Sequence, residues 1–225
     1  MIIITGASGG LGKELFFELS KENKVIGIFN KQNLESKYNG IAVKLNLLDH
    51  SEIEKFVENY KSKLTNITLI QLAVGSIDGL LANYSFKNIR KTFELNLFSN
   101  IRFVQELLPY MISQKWGRII NFSSIVSNDG AIGAGIYASS KSALLGYNKT
   151  LSKEYGRFGI TSNILELGYF ESGLIETFNE NQIKDIISKT SRKRLGKKSD
   201  LLSAIKFIQE CDFYNGEVLK INGGR

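Results

Sequence analysis

The sequence is poor in the residues that most often build disulfides and metal sites. Its 225 residues include one cysteine, Cys211, and one histidine, His50. A single cysteine excludes an intrachain disulfide, and the two counts exclude a zinc site rich in cysteine or histidine. His50 stands at a predicted helix start and is not expected to be a catalytic base. We therefore expect no metal site, and proton transfer must use Tyr, Lys, Asp or Glu.

Long apolar runs are also absent. No run reaches the ~18 residues that a membrane helix needs. The segment Met1–Gly6 has no basic flank and too short an apolar stretch for a secretory signal. The chain has one proline, Pro109, and no linker rich in proline, glycine or serine. With 43% hydrophobic and 23% charged residues, the composition predicts a single cytoplasmic domain over residues 1–225, with no membrane partner.

The charge is unbalanced toward lysine and arginine. The 29 basic residues exceed the 22 acidic ones, which gives a net charge of +7. The excess is spread along the chain and no nucleic-acid module is visible, so no nucleic-acid partner is expected. One dense basic run contains Lys189, Arg192, Lys193, Arg194, Lys197 and Lys198. It is interpreted either as a solvated helix entry or as a surface that steers an acidic partner.

Short apolar runs alternate with helix-like runs along the chain. Strands are predicted at 2–5, 24–29, 41–46, 67–72, 117–123, 160–166 and 217–221, and helices at 10–22, 50–63, 86–114 (broken), 136–156 and 199–210. Continuous apolar strands suit a parallel sheet covered on both faces. The alternation predicts an α/β fold, a Rossmann-type doubly wound parallel sheet in three layers. The polar segment at 169–198 is predicted to be a substrate lid, with a plain surface excursion as the alternative.

A glycine-rich loop, Thr5-Gly6-Ala7-Ser8-Gly9-Gly10-Leu11-Gly12, connects the first strand to the first helix. Gly6 can form the tight turn, Gly10 lets a phosphate approach the backbone, and Gly12 permits close helix–strand packing. A P-loop is excluded, because its first glycine and its final hydroxyl residue are both missing. The loop is typical of a dinucleotide site, although a β–α turn without a ligand can have the same composition.

Tyr137 and Lys141 stand four residues apart at the start of a predicted helix, and therefore on one face. A free phenol has a pKa of about 10. A nearby ammonium lowers it, which suits general acid–base catalysis. Ser124 ends the preceding strand, where sites of this architecture lie. A hydroxyl there can hydrogen-bond a carbonyl oxygen.

The ordered set of motifs resembles the short-chain dehydrogenase/reductase family, nearest to its 3-oxoacyl-[acyl-carrier-protein] reductase-like group. The matching motifs are Thr5 to Gly12, Asn96 in Glu94-Leu95-Asn96-Leu97, Ser124, Tyr137 with Lys141, Gly168, and the closing Asn222-Gly223-Gly224. They extend almost from end to end of the chain. The resemblance implies an oxidoreductase that transfers a hydride between a nicotinamide cofactor and a carbonyl or alcohol substrate.

The resemblance also implies a role for each matching residue. Tyr137 would be the general acid and base, and Lys141 would lower its pKa and bind the nicotinamide ribose. Ser124 would orient the carbonyl, and Asn96 would hold a water in a proton relay. The expected cofactor residues are Thr5, Gly6, Ser8, Gly10, Leu11, Gly12, Asn30, Lys31, Asn46, Leu47, Ala73, Tyr137, Lys141, Gly168 and Ser172. The expected substrate residues are Ser124, Tyr137, Glu166, Tyr169 and Phe170.

The end of the second strand predicts which cofactor is preferred. An acidic residue there favours NAD by binding the ribose 2′-hydroxyl, but this sequence reads Phe29-Asn30-Lys31. No carboxylate repels a 2′-phosphate and Lys31 can pair with it, so NADP(H) is favoured over NAD(H). The chain departs from the family at Gln71-Leu72-Ala73-Val74, where Asn-Asn-Ala-Gly is usual. This change is expected to tighten or shift the seat of the adenosine half.

The expected substrate is a small-molecule or carrier-linked carbonyl compound. Lys115 and Arg157 lie near positions where acyl-carrier-protein reductases present basic residues. The resemblance also implies a homo-oligomer, a tetramer or a dimer, formed through helices near 96–114 and 136–156. The alternative function is a nucleotide-sensing regulatory protein on the same fold without turnover. Sugar-nucleotide epimerases and dehydratases of related fold usually have longer chains with a substrate domain.

Overall fold

Short apolar segments form the strands at the centre of the molecule. The computed structural model describes residues 1–225, apart from the side chain of Leu174. The strands are β1 (Ile2–Thr5), β2 (Val25–Phe29), β3 (Gly40–Lys44), β4 (Ile67–Gln71), β5 (Gly117–Ser124), β6 (Ile160–Leu167) and β7 (Val218–Ile221). They form one sheet in the order β3-β2-β1-β4-β5-β6-β7, and every pairing is parallel. The predicted Rossmann-type fold is confirmed.

Helices cover both faces of the sheet. They are α1 (Gly10–Ser20), α2 (His50–Tyr60), α3 (Phe86–Phe93), α4 (Ser99–Gln114), α5 (Val126–Asp129), α6 (Gly135–Tyr155), α7 (Glu180–Lys189) and α8 (Lys198–Glu210). Short 3-10 turns lie at Lys61–Lys63, Leu81–Asn83, Gly156–Phe158 and Leu174–Thr177, and a π-helical turn lies at Glu94–Phe98. The break predicted in 86–114 is this π turn, which joins α3 to α4.

Two apolar cores fix the three layers, because adjacent strand residues point to opposite faces. Ile3, Leu69 and Ile119 belong to one core, together with side chains of α2 and α4. Ile4 and Ile70 belong to the other core, together with side chains of α1 and α8. The buried strands are therefore apolar on both faces, as a parallel sheet requires.

The segment predicted as a lid contains a regular helix, α7, which the sequence analysis did not assign. Asn179 caps it by accepting from the Gln182 N–H at 3.0 Å, and the Gln182 side chain accepts from the Asn179 N–H at 2.9 Å. This reciprocal capping box is a readable sequence signal. The polarity of the whole segment indicates a surface excursion, and the capping box is the local signal that indicates a helix within it.

Strand order reverses between β1 and β4, since β2 and β3 lie on one side of β1 and β4 to β7 on the other. Ligands of open α/β sheets bind in the crevice outside the carboxyl ends of the strands at such a point. No helix in the described part of the chain is both long and apolar enough to cross a membrane.

Candidate active site

The glycine loop lies at this crevice, and three of its glycines are in contact with backbone. Gly6 has φ +71°, a conformation that glycine adopts without strain. A Cβ on Gly12 would stand 2.1 Å from the Gly6 carbonyl oxygen, and a Cβ on Gly10 would stand 2.5 Å from the Gly173 nitrogen. Gly9 is different, because its Cβ would meet the nearest atom at an ordinary 3.5 Å. The loop is therefore held tightly at positions 6, 10 and 12.

A cavity of about 570 Å³ lies on the β2 side of the loop. Its walls include the predicted cofactor residues Gly6, Ser8, Asn30, Lys31, Asn46, Leu47 and Ala73. Asn46 accepts a hydrogen bond from the Asn30 side chain at 3.2 Å, which joins the ends of two neighbouring strands. These residues surround a space large enough for the adenosine half of a dinucleotide.

A second cavity, of about 430 Å³, lies on the other side of the loop. The two cavities share Gly6, Gly9, Leu72, Val74 and Ser76 as walls. The predicted residues that line the second cavity are Gly6, Gly10, Leu11, Gly12, Ser124, Tyr137, Lys141, Gly168, Tyr169, Phe170 and Ser172. Ser124, Tyr137 and Lys141, which carry the hydroxyl and amine groups predicted for catalysis, therefore line one cavity.

The residues present fit a dinucleotide that spans the two cavities. Helix α1 begins at their boundary with no side-chain cap and no acidic residue in its first turn. Its N-terminal N–H groups and dipole thus suit a pyrophosphate. In the second cavity the Ser172 Oγ is buried and has no hydrogen-bond partner among the described residues. A buried hydroxyl without a partner is costly, so a ligand group is its natural partner.

Ser124 and Tyr137 both line the second cavity, and Ser124 lies near enough to lower the pKa of Tyr137 through hydrogen bonding. Ser124 is the last residue of β5, and Tyr137 lies in the first turn of α6, so the sheet and the helix each supply one hydroxyl. Burial raises the pKa of Tyr137 above its usual value, while the hydrogen bond from Ser124 opposes the rise. Both residues belong to the wall of the same cavity, where their hydroxyls can bind one oxygen atom.

Lys141 lies one turn further along α6 and is fully buried. Its Nζ donates to the Phe122 carbonyl oxygen at 2.7 Å. Burial lowers the pKa of Lys141 to about 8, so the amine stays mostly protonated at pH 7. The lowering of the pKa of Tyr137 by Lys141 remains a prediction.

Asn96 occupies the π-helical turn and is completely buried. Its Nδ2 donates to the Gly75 carbonyl and to Ser140 Oγ, both at 2.9 Å, and its Oδ1 accepts from the Gly75 N–H at 2.8 Å. It lines neither cavity. Its side-chain contacts therefore fasten the loop after β4 to the helix that carries Tyr137. The proton relay remains a prediction.

Two further predicted site residues are placed outside the cavities. Thr5 is buried, and its hydroxyl accepts from the Ala73 N–H at 3.2 Å, which ties β1 to the end of β4. Glu166 is 2% exposed, accepts from Asn128 and pairs with Lys220 at 3.5 Å. Neither residue lines either cavity and both have protein partners, so their roles at the cofactor and the substrate remain predictions.

The departure at Gln71-Leu72-Ala73-Val74 leaves both cavities present. Gln71 is buried and donates from Nε2 to the Asn100 carbonyl at 2.9 Å, so it fastens β4 to α4. Val74 is 49% exposed and forms part of the wall between the cavities. Valine at this position therefore adds apolar surface to the cofactor crevice.

Asp78 is a site residue that the sequence analysis missed. It lines the second cavity, and its Oδ1 accepts from the Ser76 hydroxyl at 2.7 Å. The loop that carries it is fastened to the opposite wall, because the Gly79 N–H donates to the Gly133 carbonyl at 2.9 Å. Its charge raises the pKa of Tyr137 in addition to the larger effect of burial. No spacing or motif distinguishes this aspartate from any polar loop residue.

Replacing Asp78 by asparagine is expected to shift the pH profile of turnover to lower pH. Burial and the charges of Asp78 and Tyr169 raise the pKa of Tyr137, so removing the aspartate charge lowers it. With Tyr137 in its predicted role, oxidation of an alcohol uses the phenolate, and its rate should therefore rise at lower pH in the variant. The measurement is kcat against pH for wild type and Asp78→Asn. Asp129→Asn, which removes a charge outside the cavity, should leave the profile unchanged.

Comparison with known proteins decides the family. Residues 1–183 match the sequence model of the short chain dehydrogenase family. The chain belongs to the short-chain dehydrogenases. It is 30% identical to the 3-oxoacyl-[acyl-carrier-protein] reductase FabG of Salmonella typhimurium over 232 residues, covering 99% of this chain and 95% of the relative. The FabG of Buchnera aphidicola subsp. Schizaphis graminum is 32% identical, with the same coverage of both chains.

A solved structure has the same fold. Gluconate 5-dehydrogenase from Burkholderia cenocepacia, in complex with NADP and tartrate, superposes with a TM-score of 0.91 at 21% identity. The match covers 99% of this chain and 93% of that one. The predicted family and reaction class are confirmed. This short-chain dehydrogenase is an NAD(P)-dependent oxidoreductase that binds its cofactor through a Rossmann fold.

Proposed function

We propose that this short-chain dehydrogenase reduces a carbonyl group to an alcohol and uses NADPH. The proposal rests on one observation: Ser124, Tyr137 and Lys141 line the same cavity, which adjoins the glycine loop. The bound cofactor supplies the hydride.

Tyr137 acts as the general acid. Its raised pKa keeps the phenol protonated at neutral pH, so it is ready to donate a proton to the carbonyl oxygen of the substrate. Ser124 donates a hydrogen bond to the same oxygen and fixes its position. The Lys141 ammonium is held against β5 and stabilises the phenolate that remains after the proton has left. In the reverse direction the phenolate accepts the proton of the alcohol.

Asn96 serves this chemistry as a positioning residue. It holds Gly75 by a reciprocal pair of hydrogen bonds and Ser140 by a third. Ser140 in turn donates to the Tyr137 carbonyl at 2.7 Å, so the position of the acid depends on the loop after β4. The same loop carries Asp78, whose charge raises the pKa of Tyr137.

Lys31 is proposed to select NADPH. It lines the adenosine cavity beside Asn30, and the described walls of that cavity include no carboxylate. An ammonium pairs with the 2′-phosphate, whereas the 2′-hydroxyl of NAD gives it no charge partner. The crystal structure of the Burkholderia relative contains NADP, which supports the same preference.

We expect Lys31→Ala to weaken NADPH binding about tenfold, the value of one charge-assisted hydrogen bond. NADH binding should change little. The measurement is fluorescence titration of the wild type and of Lys31→Ala with NADPH and with NADH. Lys37→Ala removes a lysine outside the cavity and is the matched control. Tighter binding of NADH than of NADPH by the wild type would contradict the proposed preference.

The substrate is proposed to be a carbonyl compound attached to a carrier or an equivalent thioester. Two of the relatives are named for a 3-oxoacyl group on acyl carrier protein. The second cavity is proposed to hold the substrate and is called the substrate cavity below. Its walls are mostly apolar, among them Ile132, Ile175 and Phe178, which suits an acyl chain. The segment 169–198 forms part of this wall and is proposed to act as the lid. Helices α4 and α6 are proposed to bring copies of the chain together, since Phe98 at the start of α4 is 45% exposed.

A further inference from the structure

The structure separates five of the six residues of the basic run at 189–198 into two groups, and the sixth, Lys197, is exposed. Three are engaged on the surface: Lys189 pairs with Asp185 at 2.6 Å, Lys198 pairs with Glu18 at 3.3 Å, and Lys193 donates to the Ser188 carbonyl at 2.6 Å. These fit the interpretation of a solvated helix entry. Arg192 and Arg194 instead line a third cavity, of about 410 Å³.

This third cavity, the basic cavity, lies between the end of the lid segment and β7. Lys220 of β7 brings a third cation to its wall. The floor is the C-terminal backbone, where Gly223 and Gly224 have φ of +68° and +80°. The Arg192 N–H donates to the Gly223 carbonyl at 3.1 Å, so the arginine and the floor are fixed relative to each other.

Acidic residues neutralise the basic cavity only in part. Asp200, which also lines the cavity, accepts hydrogen bonds from Nη1 and Nη2 of Arg194, at 2.6 and 3.0 Å, and from the Lys197 N–H at 2.8 Å. Glu166 is shared between Asn128 and Lys220. Within the described residues, the Arg192 guanidinium has no hydrogen-bond acceptor. The cavity therefore keeps a net positive charge with one arginine fork unused.

We propose that the basic cavity binds a phosphoryl dianion between Arg192, Arg194 and Lys220. A guanidinium fork matches phosphate oxygens in pairs, and an ammonium adds a point charge. Arg192 supplies the unused guanidinium fork, and the three cations together exceed the two carboxylates that pair with Arg194 and Lys220. A volume of about 410 Å³ accommodates a phosphoryl group with part of the molecule that carries it.

Tyr169 connects this site to the proposed substrate cavity, because it lines both. Its ring packs on Phe178 at 5.9 Å and under the Arg225 guanidinium at 4.9 Å. A phosphate bound here would lie beside the beginning and the end of the lid, since the Gly196 N–H donates to the Tyr169 carbonyl at 2.9 Å. The phosphoryl group can belong to the tail of a thioester substrate, which rests on the proposed function, or to a free anion.

The first test is calorimetric titration of the intact protein, saturated with NADP, with inorganic pyrophosphate at low ionic strength. We expect saturable binding by the wild type and binding about tenfold weaker in Arg192→Gln, because a charge-assisted pair is lost. Lys189→Gln removes one charge from the same run outside the cavity and should bind as wild type. Arg192→Glu should abolish binding. Absence of binding by the wild type, or equal loss in Lys189→Gln, would overturn the proposal.

The second test separates the two sources of the phosphoryl group. It compares KM for a 3-oxoacyl thioester of coenzyme A with KM for the same acyl group on N-acetylcysteamine, which has no phosphate. A rise of KM in Arg192→Gln for the first substrate alone supports a phosphate on the substrate. Pyrophosphate binding with both KM values unchanged supports a free anion. If no turnover is found with either thioester, the titration still decides the site independently of the proposed reaction.

Discussion

Tyr137→Phe is expected to lower kcat by about 10³-fold, within the range that a positioned general acid contributes. The change removes one oxygen atom and leaves the ring in place. Tyr137 lines the second cavity and belongs to neither apolar core, so folding should be preserved. Cofactor affinity should fall only slightly, because the glycine loop and the adenosine cavity are untouched. The measurement is steady-state turnover of a 3-oxoacyl thioester together with an NADPH titration.

Tyr155→Phe provides the matched control, because it makes the same chemical change at the other end of α6. Its turnover should equal that of the wild type. Equal turnover in Tyr137→Phe would show that this hydroxyl is not the acid. If wild type binds NADPH but turns over no carbonyl compound, the nucleotide-sensing alternative gains support.

Gly12→Ala is expected to lower the free energy of unfolding by about 3 kcal/mol, at the upper end for overpacking. The added Cβ would stand 2.1 Å from the Gly6 carbonyl oxygen, a backbone atom that cannot rotate away. For a chain of this size, such a change lowers Tm by about 6–12 °C. Movement of Gly6 also displaces the wall shared by the two cavities, so NADPH affinity should fall by at least about tenfold.

Gly9→Ala tests whether the loss of stability comes from the close contact at Gly12 or from any methyl group added to the glycine loop. Both variants add one methyl group to the same loop, but a Cβ on Gly9 meets its nearest atom at 3.5 Å. Its Tm should stay within about 2 °C of the wild type. Equal destabilisation by the two variants would contradict the role assigned to the contact between Gly12 and Gly6. Thermal unfolding and NADPH titration of both proteins provide the comparison.

Sequence periodicity predicted the fold because each βαβ unit is a local signal. Ser124 and Tyr137 could be placed together for the same reason, since one ends a strand and the other begins the next long helix, and parallel strands all end at one edge. The glycine loop was predicted as a dinucleotide site from its glycines alone. These predictions needed no knowledge of contacts between distant parts of the chain.

The residues that lie outside the cavities, or that the sequence did not indicate, depend on such distant contacts. Glu166 looked like a substrate ligand because it ends a central strand, but its partners are Asn128 and Lys220, which sequence spacing does not reveal. The side-chain contacts of Asn96 became clear only when Gly75 and Ser140 were seen on either side of it. Asp78 required the loop after β4 to be positioned in three dimensions.

The contact between Gly10 and Gly173 limits how the sequence can change over time. A methyl group on Gly10 would collide with the backbone at Gly173, and Gly173 itself has φ +87°, where other residues are strained. A substitution at either position therefore requires a compensating change far away in the chain. Most of the segment at 169–198 is free to diversify toward new substrates, but the backbone at Gly173 lies against Gly10 of the glycine loop. New specificity should thus arise just beyond Gly173, at wall residues such as Ile175 and Phe178.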